Sequence, residues 1–111
     1  MTIRARRRQA IDAATMREHA GQAARLLKAL ANEKRLLLLC QLVEGERSVG
    51  ELNANIDLSQ SALSQHLAVL RADGLVRTRR EAQTIHYSLA PGPARRILET
   101  LHAIYCGEAA P

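Results

Sequence analysis

Aromatic residues are nearly missing from this chain of 111 residues: Tyr87 and Tyr105 are the only two, and there is no Phe or Trp. Proteins that hold single strands or RNA usually rely on stacking platforms, so the shortage argues against that mode of nucleic-acid binding. Cysteine is almost as scarce, with Cys40 and Cys106 alone, too few for a disulfide scaffold or a Cys-rich zinc module. No apolar run approaches the roughly 20 residues that span a bilayer. Nucleophile-elbow, P-loop, H-E-x-x-H and dinucleotide motifs are also missing, so no enzyme and no cofactor is expected.

Acidic residues are outnumbered, and unevenly. The net charge is +5, but residues 1–8, MTIRARRR, hold Arg4, Arg6, Arg7 and Arg8; without these the balance is twelve basic against eleven acidic. A second cluster is Arg77, Arg79 and Arg80 in VRTRREA. Two positive patches on a nearly neutral body predict a polyanion touched at specific places, and the lack of stacking residues favours duplex DNA. Residues 1–14 read as a basic arm, either a solvated tail or a DNA contact, and residues 15–111 as one folded domain. The Arg-rich start also fits an organelle transit peptide, but folded-looking sequence follows at once. A cytoplasmic protein with no membrane partner is the expectation.

From Thr15 the pattern is helical. Met16, Ala20, Ala23, Leu27 and Leu30 form a seam whose small alanines admit another helix, of the same chain or of a second subunit. Asn32 suits an N-cap for EKRLLLLCQLVEG, where leucines at 36–39 on every side predict a helix enclosed by others. Ser48-Val49-Gly50-Glu51 has the form of a capping box. Ser59 caps a further helix that ends at Asp73-Gly74. The period then changes to two. Val76 and Thr78 alternate with Arg77 and Arg79, and Ile85, Tyr87 and Leu89 with Thr84, His86 and Ser88, which predicts a β-hairpin. After Pro91-Gly92-Pro93, ARRILETLHAIYC gathers Ala94, Ile97, Leu98, Leu101 and Ile104 on one side. The fold class is mainly α with a small β-hairpin: a winged helix-turn-helix with N- and C-terminal helices suited to dimerisation.

The helix after Leu58 carries short hydroxyls and amides where a solvated helix would carry Lys and Glu. Gln reads adenine bidentately and Ser serves several bases, so this face suits a major groove. Gln60, Ser61, Ser64 and Gln65 are the expected groove-facing set, with Ser59 as cap and phosphate ligand. His66 reaches a phosphate or bonds within the domain. On the hairpin, Arg79, Arg80, Gln83 and Thr84 are placed for phosphates or the minor groove, and Arg77 for the same or for an acidic neighbour. A two-fold dimer would set two such helices about 34 Å apart and read an inverted repeat in double-stranded operator DNA. A winged helix that binds only protein is the alternative from another class.

The stretch SQSALSQHLAVLRADGLVRTRREAQTIHYSL, with the preceding helices, resembles the ArsR/SmtB winged-helix repressors over nearly the whole chain. That resemblance implies a homodimer built mainly by the first and last helices, which releases operator DNA when an inducer binds. Metal sensing is common in the family, but SVGELNANI lacks the cysteines of its arsenic site, and the last helix has no Asp and one His. A makeshift Zn²⁺ site from Cys40, His102 and Cys106 stays open, as does the plain reading of two small apolar residues. RREAQTIHYSL and the IYC ending look like the branch of BigR, SqrR and YgaV, which respond to sulfide and persulfide. This implies that Cys40 and Cys106 face each other within a subunit, and that reactive sulfur species join them by a disulfide or polysulfide bridge. HlyU-like regulators carry a similar pair, which keeps a general oxidant or thiol switch open.

Overall fold

The computed structural model describes residues 11–107; residues 1–10, with the arginines of the expected arm, lie outside the described part. The order is α1 (Ala13–Leu30), α2 (Glu33–Val43), β1 (Arg47–Ser48), α3 (Val49–Ala54), α4 (Gln60–Ala72), β2 (Val76–Glu81), β3 (Thr84–Leu89) and α5 (Ala94–Tyr105). It is the winged helix-turn-helix that the periodicity predicts. No helix among the described residues is long and apolar enough to cross a membrane.

Capping explains most of the boundaries. Helix α1 starts two residues before the expected Thr15, because Asp12 accepts the backbone N–H groups of Ala14 and Thr15 at 3.0 and 3.3 Å. Asn32 accepts from the Arg35 N–H at 3.0 Å and opens α2. The capping box closes as the sequence predicts: the Glu51 N–H donates to Ser48 Oγ at 3.1 Å, and the Ser48 N–H to Glu51 Oε1 at 2.8 Å. Gly74, at φ 72°, supplies the left-handed residue beyond α4.

Leu38, Leu39, Leu42, Leu52, Leu63, Leu70 and Leu98 are fully buried, so α2, α3, α4 and α5 share one leucine core. Leu37 departs from expectation. It is 47% exposed, because Leu38, Leu39 and Leu42 take the core side of α2 and turn Leu37 outward. The α1 seam is also open: Leu30 is buried, but Met16 and Leu27 are exposed, and the helix anchors through Leu26, Ala29 and Leu30. Ile104 and Tyr105 stand out at the far end of α5.

The sheet has three antiparallel strands in the order β1-β3-β2, not the expected hairpin alone. Arg47 lies opposite Tyr87 and Ser48 opposite His86. Two residues give no alternation to read, which is why β1 is invisible in the sequence. The β2–β3 turn is the pair Ala82-Gln83, with Ala82 at φ 58°.

Candidate functional site

Helix α4 separates its two faces cleanly. Leu63, Leu67 and Leu70 are buried, whereas Ser59, Gln60, Ser61, Ser64 and Gln65 are all exposed. Ser59 acts as the cap, its Oγ accepting the Ala62 N–H at 3.1 Å. His66 is half-buried and makes no side-chain hydrogen bond among the described residues, against the expected bond within the domain.

The hairpin needs one correction. Arg79 is not a free cation: its Nε and Nη2 donate to the two carboxylate oxygens of Glu46, at 3.0 and 2.8 Å, and its Nη1 lies 3.5 Å from Glu81. Strand alternation puts Arg79 and its cross-strand neighbour His86 on the outer face, where the turn after α2 delivers Glu46. The Arg79 guanidinium holds the Glu46 carboxyl below its ordinary value, and Glu46 in turn strengthens the Arg79 charge. The acidic neighbour foreseen for Arg77 thus belongs to Arg79. Arg77 and Arg80 are exposed and make no ion pair among the described residues.

Gln60 meets the wing. With Gln83 and Thr84 it borders an open hollow of about 660 Å³, whose other wall is α3 with Gly50 and Asn53. Asn53 escaped the sequence reading, although its Oδ1 is buried without a hydrogen-bond partner. The only signal was a lone amide inside a short helix. Ser64 and Gln65 lie further along α4, outside that hollow.

A second feature lies between α2 and α5. Cys40, Val43 and Glu44 face Leu98, Glu99 and His102 across a hollow of about 300 Å³. Both cysteines are free and exposed. Cys106 caps α5, its N–H donating to the His102 carbonyl at 2.7 Å. Although Cys40 is exposed as a residue, its thiol is partly withdrawn into this hollow. That partial burial, then the charges of Cys106 and Glu44, raises its pKa. Arg95 closes the groove beyond, with Nη1 3.5 Å from the Val43 carbonyl and 3.9 Å from Glu99. Among the described residues of one subunit, no three His, Cys, Asp or Glu side chains gather closely enough to hold an ion. Cys40 and His102 border the hollow, and Cys106 stands at the C-cap of α5, outside its lining.

Comparison with known proteins agrees with this geometry. The family model described as "Bacterial regulatory protein, arsR family" matches residues 32–78. The chain is 55% identical over 91 residues to the transcriptional activator HlyU of Vibrio cholerae, covering 82% of this chain and 84% of that one. The structure is similar to that of the transcriptional repressor BigR from Xylella fastidiosa, with 43% identity and a TM-score of 0.82 over 88% of this chain and all of that one. It is also similar to a homodimeric winged helix-turn-helix DNA-binding domain from Mycobacterium bovis, with 31% identity and a TM-score of 0.68 over 88% of each chain.

Proposed function

Since the chain belongs to the ArsR family of bacterial regulatory proteins, and is thereby a DNA-binding transcriptional regulator, we propose that it works as a homodimeric repressor whose hold on operator DNA is released by reactive sulfur species acting on Cys40 and Cys106. The observation that carries this reading is the placement of the chain's only two thiols on packed elements, Cys40 on α2 facing Leu98, Glu99 and His102 of α5, and Cys106 at the C-cap of that same helix.

The DNA side rests on the exposed Ser and Gln face of α4, with Arg77 and Arg80 on the wing beside it. Pairing of subunits is supported by apolar side chains left open on the terminal helices, Met16, Leu27, Ile104 and Tyr105, and by the homodimeric relative from Mycobacterium bovis. Two-fold symmetry then presents two α4 helices to an inverted repeat.

The chemistry balances without a cofactor. One cysteine thiolate attacks the outer sulfur of a persulfide RSSH, becomes a protein persulfide and expels the thiolate RS⁻. The second thiolate attacks the protein-bound sulfur of that persulfide, closes the Cys40–Cys106 disulfide and expels HS⁻. Insertion of further sulfur gives a polysulfide bridge by the same exchange. In a reducing compartment such a pair is transient, as a sensor requires. A bridge ties α2 to α5 and alters the geometry of the two winged halves. A coupling of about 1–3 kcal/mol, usual for allostery, weakens binding roughly 5- to 150-fold.

The test is operator binding by reduced protein, polysulfide-treated protein and a Cys40→Ser variant. Treatment is expected to weaken the wild type and leave the variant unchanged; unchanged wild-type affinity ends the sulfur reading and leaves the DNA-binding assignment standing. One competing version, which the resemblance to HlyU-like regulators implies, is a general oxidant or thiol switch. Peroxide and polysulfide given in parallel, with mass spectra of the Cys40 and Cys106 peptides, separate the two.

A further inference from the structure

Between the hollow beside Cys40 and the wing lies a segment of five residues, 44–48, whose four side chains all have partners within the segment or beyond it. Glu44 is the C-cap of α2 and borders the hollow beside Cys40. It is also held by Arg47 at 3.0 Å. Arg47 and Ser48 form β1 and pair with Tyr87 and His86 of β3. Ser48 caps α3, the first helix of the helix-turn-helix. Glu46 reaches across to β2 and grips Arg79 with both carboxylate oxygens.

The geometry points to Glu46 as a positioning residue that transmits the state of the dithiol groove to the wing through its pair with Arg79. This rests on the sulfur-responsive reading above. Any displacement of the end of α2 caused by a bridge at Cys40 reaches Glu46 within six residues of chain, of which four belong to α2 or its cap and one, Gly45, is the turn before Glu46. The two-point contact resists twisting in a way that a single hydrogen bond does not. So Arg79 has to follow Glu46 or let go, and either changes how the tip at Gln83 and Thr84 sits beside Gln60. Neither residue needs to touch DNA for this role.

The experiment measures operator Kd for reduced and polysulfide-treated protein and takes their ratio, in the wild type, Glu46→Gln, Arg79→Gln and the exchanged pair Glu46→Arg with Arg79→Glu. A uniform effect on DNA affinity, such as the loss of one acid near phosphates, cancels in that ratio. Residues along a coupling route shift such a ratio by roughly 2- to 30-fold. Both single variants are expected to compress the wild-type ratio by that much, and the exchanged pair to restore it. Single variants that keep the wild-type ratio overturn the inference, and so does an exchanged pair whose ratio stays compressed. If treatment fails to weaken the wild type itself, the sulfur reading has failed and the coupling role falls with it; that outcome is visible in the wild type alone.

Discussion

Arg25 donates from both Nε and Nη2 to a single carboxylate oxygen of Asp73, at 3.1 Å each, and so ties α1 to the end of α4. The arginine is 73% exposed and the aspartate 20%. Water and ions therefore screen the pair, and Arg25→Ala is expected to lower unfolding stability by about 0.5 kcal/mol at low salt and by almost nothing at 1 M salt. Urea titrations at two salt concentrations check this.

The capping box gives a larger and pH-dependent effect. Ser48→Ala removes the cap of α3 and is expected to cost about 1 kcal/mol near neutral pH. The Ser48 backbone N–H holds the Glu51 carboxyl below its ordinary value of 4.5, chiefly through that hydrogen bond. A depressed carboxyl contributes stability that is present above its unfolded-state pKa and is lost as pH falls through the folded one. Glu46, held down by Arg79, acts in the same direction. Stability should thus decline on acidification below about pH 4.5, and Glu51→Gln should flatten part of that decline in acid-melting curves.

At the wing turn, Ala82 occupies a left-handed conformation that its Cβ disfavours. Ala82→Gly relieves the clash while adding freedom to the unfolded chain, for a net gain of about 0.5 kcal/mol. Thermal unfolding reads it directly, and a lowered melting temperature would contradict it.

Salt dependence of operator binding sorts the wing arginines. Each phosphate contact contributes about 0.9 to the slope of log affinity against log salt. Arg80→Ala and Arg77→Ala are expected to flatten that slope by about this amount each, and Arg79→Ala by clearly less, since Glu46 already neutralises it.

Thiol reactivity tests the groove. Burial, Cys106 and Glu44 all raise Cys40, so its alkylation in reduced protein should need a more alkaline pH than that of a free cysteine. Cys106→Ser removes one of the opposing charges and should move the Cys40 alkylation profile toward lower pH.

How much of this was readable beforehand follows from range. The caps at Asn32, Ser48 and Ser59 are local hydrogen bonds spanning three residues, and each stands where the sequence puts it. The leucine face of α4 and the strand alternation are equally local, so the fold and the polar face were legible. The Glu46–Arg79 pair spans 33 residues, and nothing near either one announces it. VRTRREA offers three similar arginines, and only the register of β2 against β3 decides which one meets the acid. The outward turn of Leu37 was hidden for the opposite reason: four consecutive leucines erase the helical period that would have marked the odd one out.

The guanidinium of Arg35 holds the last turn of α1 by two carbonyls, Ala29 at 2.7 Å and Lys28 at 3.3 Å. A helix of eighteen residues reaches about 27 Å from that grip. Tilting it by roughly 10° at that end would move the far tip by about 5 Å. Arg35 thus shares with the Arg25–Asp73 tie the setting of a long lever's angle, and a substitution there would be felt at Met16, more than three turns from the bonds it breaks.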